Sequence, residues 1–455
     1  MPKNIKATTT RILSNKSGRA AAPLPREETP VFSATSNIPA QSAQPPSSRR
    51  RLPWTTLTLT ICALCLGDLA GSWWPLPHLL GITSSKALVD GSYLLQPGPW
   101  GNLEALPIYI EPPEEYLPIR SIEEADRRWR FEGFTTDQLT SLFQSADLTD
   151  SQRAELLDSS KWQQDAKALY VSPSKDLVLS LSPKARKQIY GPLTAVPDNI
   201  FTLLRCSYPA DRLGEYFSGS GLSDETIALV KKLSYPYGHL VFFCDMPLVL
   251  DTLQTNDEKV RLVKTLLRKS TLLLRLHIAP DSNIDDLTRY WSKAGQEINV
   301  QPLLESLSKI PHGTRINVSL LFPPLPTAQL YSFPFPSTKP EDQHKDCHYT
   351  ALNFFRDPPD PRFTDANVVR QTLLTDYYPA LSDPRYGDIL VLSKPDGSII
   401  HSCVFIADNI VYTKNSANFR DPYLLMTIPD MLDVFQAQIP EGQSLQLHYY
   451  RNKYY

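Results

Sequence analysis

Cys347 is the cysteine, among six in the chain, whose surroundings could do chemistry. It stands in Asp346-Cys347-His348-Tyr-Thr-Ala-Leu-Asn-Phe-Phe, where Ala351, Leu352 and Phe355 follow at helical spacing. The spacing predicts a thiol at the first turn of an amphipathic helix. Free N–H groups and the positive dipole end at such a position lower a thiol pKa and can hold an oxyanion. The matching base is His401, far along the chain but in a strand-like run that the fold can bring to the thiol. A Cys and a His joined in this way can carry out acyl transfer.

The elements that must position these groups are legible nearby. Tyr386-Gly387-Asp388-Ile-Leu-Val-Leu reads as a strand closed by the turn Lys394-Pro-Asp-Gly397. Ser398 to Ile406 is a second strand and contains His401. Asp408-Asn409 turns the chain into a third, Ile410 to Asn415. The expected arrangement is a nucleophile-bearing helix followed by an antiparallel meander.

At these residues the chain resembles the NlpC/P60 group of papain-like cysteine peptidases, over roughly its last 110 residues. Asp346-Cys347, the Gly387-Asp388-Ile389 strand, and His401 with the Val-Phe-Ile-Ala-Asp-Asn run after it carry the resemblance. It implies Cys347 as nucleophile and His401 as general base. The family's ring-orienting residue, usually His, Asn or Gln, falls near Thr413. Asn415 lies two residues on and on the same strand face, and its side-chain oxygen can accept an imidazole N–H. Asn415 is therefore taken as the third residue, with Thr413 as the alternative. Asp346, His348 and Cys403 are expected to wall the pocket. Cys403 stands where the family has Gly, so it either crowds the site or pairs with Cys347. No complementary ligand cluster accompanies His348, so neither a metal nor a cofactor is assigned.

The rest of the chain supplies context. Forty-one prolines against 18 glycines suggest stiff connections between modules. The net charge of -2 conceals an asymmetry. Residues 1–51 hold nine Lys+Arg and two Asp+Glu, and the remainder holds 37 against 46, which excludes a basic nucleic-acid-binding body. That leading stretch is polar and basic and reads as a disordered tail ending in Arg49-Arg50-Arg51. Residues 52–85 are apolar apart from Asp68, with Trp73 and Trp74 near the far end, and read as a signal anchor or uncleaved signal with the C-terminal portion exported. Residues 86–330 read as a mixed, helix-leaning accessory domain. Capping signals recur at Thr135, Thr149, Ser182 and Ser223, and strand-like runs fall at 177–181, 240–243, 271–278 and 316–322. Cys206 and Cys244 could pair if exported. Residues 331–455 form the NlpC/P60-like part.

The expected fold class is therefore α+β, with a tail, an apolar segment, a middle domain and a C-terminal papain-like domain. The expected function is a membrane-anchored thiol hydrolase, a peptidase or amidase, acting on envelope or cell-wall peptide bonds. The alternative is a membrane-tethered binding or scaffold protein whose papain-like domain is inactive. The expected partners are a peptide or cell-wall substrate and, through residues 52–85, a membrane, with no nucleic acid.

Overall fold

The computed structural model describes residues 91–196, 199–339, 342, 345–380, 383–439 and 442–455. The basic tail and the apolar segment 52–85 lie outside the described residues. No helix among the described residues is long and apolar enough to cross a membrane.

The fold is mixed α+β, and among the described residues the strands form four antiparallel sheets. Along the chain run β1 (Tyr93–Leu94), β2 (Asn102–Ile110), β3 (Trp129–Glu132), β4 (Trp162–Gln164), β5 (Ala168–Val171) and β6 (Cys206–Pro209). They are followed by β7 (Tyr235–Tyr237), β8 (Leu240–Phe243), β9 (Lys269–Ile278), β10 (Thr314–Asn317) and β11 (Tyr377–Pro379). Last come β12 (Ile389–Ser393), β13 (Ile399–Ala407), β14 (Ile410–Thr413), β15 (Leu424–Thr427) and β16 (Gln446–Asn452). The six-stranded sheet has the order β11-β16-β12-β13-β14-β15, and β12 to β14 form the expected meander, which β15 extends. A four-stranded sheet, β1-β2-β9-β10, stands beside it.

These two sheets share a core. Leu274 and Leu276 of β9, Leu330, Tyr349 and Leu352 behind Cys347, and Val404 and Ile406 of β13 belong to one buried apolar cluster. The Thr271 hydroxyl fastens the sheets edge to edge, donating to the Leu425 carbonyl and accepting from the Leu425 N–H, each at 3.0 Å. Residues on both sides of position 330 therefore pack together, and part of the proline-rich stretch is wound into a short helix, Pro324–Gln329, with proline at its first turn.

The capping signals locate real helix starts. Thr135 and Thr149 each form a complete capping box with Gln138 and Gln152. Ser182 and Ser223 accept from the backbone N–H three residues on. Two expected strands differ. Residues 177–181 fall in the helix Lys175–Ser180, because Ser174 caps it by accepting from the Leu177 N–H, and a short apolar run does not by itself tell helix from strand. The run 316–322 leaves β10 at Asn317, whose side chain accepts from Ser319 N and starts a 3-10 turn. Cys206 and Cys244 are free thiols and belong to the cores on opposite sides of the β6-β8-β7 sheet.

The Gly387-Asp388 pair is a structural hinge. Gly387 has φ +89°, and a Cβ there would lie 2.5 Å from the Phe355 ring. The Asp388 carboxylate, nearly buried, receives the Arg385 N–H at 2.8 Å and the Arg451 guanidinium at 2.9 and 2.7 Å. Arg451→Ala leaves that carboxylate uncompensated and is expected to cost about 3–5 kcal/mol. The measurement is the urea unfolding midpoint, and an unchanged midpoint would show that the pair carries no net stability.

Candidate active site

Strand β13 sorts the chemical groups by its alternation. Val404 and Ile406 face the core that contains the helix Cys347–Leu352, whereas Cys403 and Phe405 face a second core built on the helix Ile428–Gln436. Ser402 falls with the first set and His401 with the second.

On the first side, Asp346 caps the helix, its Oδ1 accepting from His348 N at 2.8 Å and Tyr349 N at 3.0 Å. This agrees with the expected helix start and fixes Cys347 at the first helical position. The thiol is free and only 5% exposed. The expected lowering of its pKa does not occur. Burial, and after it the Asp346 charge, pushes the thiol up to about 12, while the backbone N–H groups of Ser402, His348 and Cys347 itself pull the other way. His348 is held by Ser402, Nδ1 to Oγ 2.8 Å, and burial lowers its pKa against the opposing pull of Asp346. Donor atoms of Asp346, Cys347 and His348 lie within 4.8 Å of one another, so His348 is an imidazole within reach of the sulfur.

On the second side, His401 is fully buried and stacks on Phe435, ring centroids 4.1 Å apart. Its Nε2 lies 3.1 Å from Thr413 Oγ1, and Thr413 Oγ1 donates to Asn415 Oδ1 at 3.2 Å. A hydroxyl has one proton. With that proton directed to Asn415, Thr413 must accept from His401, which places the ring proton on Nε2 and a lone pair on Nδ1. Among the described residues Nδ1 has no hydrogen-bond partner. Burial, and after it the His348 charge, holds the imidazole down to about 3, so it is neutral. Thr413 is thus the residue that touches the ring, and Asn415 acts one step behind it. The Cys403 sulfur contacts Met431 Sδ at 3.3 Å within the second core and is not bonded to Cys347.

The structure therefore joins His401, Thr413 and Asn415 in one chain and gathers Asp346, Cys347 and His348 at the helix start. Among the described residues no hydrogen bond links the Cys347 sulfur to His401. Contact between the two groups runs through the strand itself, since Ser402, whose N–H acts on the sulfur, is His401's chain neighbour.

Two residues escaped the sequence reasoning. Ser402 positions His348. Lys414 is 1% exposed and donates from Nζ to the carbonyls of Ser416 and, at 3.0 Å, Asn418. Burial brings its pKa down to about 8, against the charges of Asp421, Cys347 and Asp346. A lysine closing the run Ile410-Val-Tyr-Thr, one residue out of phase with Thr413, was the available signal. No family model, curated protein or solved structure matches the chain.

The buried imidazole has a consequence for stability. A folded-state pKa of about 3 against an ordinary 6.5 means that the unfolded chain binds the proton first as pH falls. The contribution is complete above 6.5 and is lost as pH drops toward 3. The unfolding free-energy gap between wild type and His401→Gln is expected to narrow between about pH 7 and about pH 4. A gap constant across that range would show that His401 is not a buried neutral base.

Proposed function

We propose that the chain is a thiol hydrolase, a peptidase or amidase of NlpC/P60-like character, with Cys347 as nucleophile and, because the expected base His401 faces the other side of β13, His348 as general base. One observation carries this reading: on the thiol's own face of β13, Ser402 Oγ holds His348 Nδ1 at 2.8 Å and keeps that imidazole within 4.8 Å of the Cys347 sulfur. An imidazole oriented at one nitrogen can take a proton at the other.

In the reaction, the His348 ring nitrogen not held by Ser402 removes the Cys347 proton and the sulfur attacks a carbonyl carbon. The N–H groups at the helix start and at Ser402 receive the oxyanion. The imidazolium returns its proton to the leaving amine, and water then opens the thioester to the acid. A thiol pushed up to about 12 and an imidazole whose basicity burial lowers do not exchange a proton at rest. Substrate must therefore bring them together, and Lys414 is placed to favour the thiolate once it forms. With residues 52–85 as an anchor, the substrate class is an envelope or cell-wall peptide.

The burial of Cys347 favours a second reading, a membrane-tethered binding or scaffold protein with a silent site. Cleavage of purified cell-wall peptide fragments decides between them. Under the first reading the wild type cleaves and Cys347→Ala and His348→Ala each lose at least about a thousandfold in kcat/KM, with Ser402→Ala losing about ten- to a hundredfold. Cleavage that survives Cys347→Ala rejects the thiol mechanism, and binding without cleavage by the wild type selects the scaffold.

A further inference from the structure

A cavity of about 660 Å³ opens between strands β6, β8 and β9 on one side and β15 with the helix Ile428–Gln436 on the other. This volume lies within the roughly 300–1,000 Å³ of small-ligand sites. It belongs to the second face of the six-stranded sheet, and Asn415 reaches its wall.

Most charges in that wall are already compensated. Arg212 lies 2.5 Å from Asp430, Lys269 lies 3.1 Å from Asp421, and the Arg268 guanidinium covers the Tyr109 and Tyr216 rings. Two half-buried groups of opposite sign differ. Arg205 lies 4.8 Å over the Phe242 ring and, among the described residues, has no carboxylate at ion-pair distance. The Asp433 carboxylate accepts no hydrogen bond from a described residue. The charges that act on it are His239, Asp430, Asp211 and Arg212. His239 and Arg212 act on it from a distance, and among the described residues no ion pair joins it to Arg205 or to another cation. Leu240, Phe242 and Val434 supply apolar wall in the same space.

A fixed cation, a fixed anion and apolar wall complement a ligand with a carboxylate at one end and an ammonium at the other. The guanidinium offers a planar fork for the carboxylate, and the aspartate a partner for the ammonium. We propose that this cavity binds a zwitterion with one carboxylate and one ammonium, a short peptide with both termini free or a free amino acid, with its carboxylate on Arg205 and its ammonium on Asp433. The site stands apart from the thiol chemistry and does not depend on it.

Calorimetric titration of the full chain with trialanine, N-acetyl-trialanine, trialanine amide and L-alanine tests the assignment. Trialanine is expected to bind, and capping either terminus to weaken binding at least about tenfold, near 1.4 kcal/mol. Arg205→Gln should weaken trialanine by a similar factor while leaving the amide unchanged, and Asp433→Asn should do the same while leaving the N-acetyl peptide unchanged. L-Alanine binding as tightly as trialanine assigns a free amino acid, and weaker binding assigns a peptide. The Cys347→Ala chain should give the same isotherms, which separates this site from any turnover. Binding that ignores both caps, or no binding of either zwitterion, overturns the proposal.

Discussion

Strand β13 is buried on both faces, and that constraint decides where every chemical group in the C-terminal part can sit. A half-exposed strand could slip or turn a polar side chain to water. Here Val404 and Ile406 are locked into the core shared with β9, and Cys403 and Phe405 into the core under the helix Ile428–Gln436. Because side chains alternate, a slip by one residue would exchange the two sets entirely. His401 is therefore tied to the Phe435 side and Ser402 to the Cys347 side, and neither can change places at tolerable cost. The polar atoms answer by pairing along each face: His348 with Ser402 on one, His401 with Thr413 and Asn415 on the other.

The same burial governs the electrostatics. A helix start offers a charge in its first turn about 0.3–1 kcal/mol at exposed sites. The rise of the Cys347 thiol from 9.0 to about 12 corresponds to roughly 4 kcal/mol in the opposite direction. Desolvation wins by several-fold, and Asp346, which makes the helix start, adds to it by placing a negative charge beside the sulfur. The capping residue that positions the nucleophile thus also keeps it protonated. Lys414 opposes this in part, because it is a cation held beside the same sulfur by backbone carbonyls.

Much of the local structure was legible because local chemistry decides it. Thr135, Thr149, Ser182 and Ser223 announce helices through hydrogen bonds that span three residues, and Asp408-Asn409 makes the tight turn between β13 and β14, with Asp408 at φ 53°. The Cys347 helix start was legible for the same reason. The protonation of the site was not, since it depends on how deeply the helix sinks into a core assembled from β9, Leu330 and β13. Nor could periodicity alone choose between Thr413 and Asn415, which share a face. The choice is made by the proton count at the Thr413 hydroxyl. Lys414 escaped because a lysine after an apolar strand reads as an exposed end unless its carbonyl partners are known.

The middle region contributes more than a spacer to this arrangement. Thr271 of β9 satisfies both backbone groups of Leu425 at the edge strand β15, and the Tyr331 hydroxyl donates to Leu272 O while its N–H donates to Tyr423 O. These bonds close the open edge of the six-stranded sheet, which would otherwise present unpaired N–H and C=O groups. They also bring β6, β8 and β9 against the helix Ile428–Gln436, so the 660 Å³ cavity has walls from both parts of the chain and exists only when they are joined. Asn415 sits at that wall and, through Thr413, at the ring of His401. Thus a single hydrogen-bonded chain connects the interface between the two parts to a buried imidazole, His401, whose other nitrogen has no partner among the described residues.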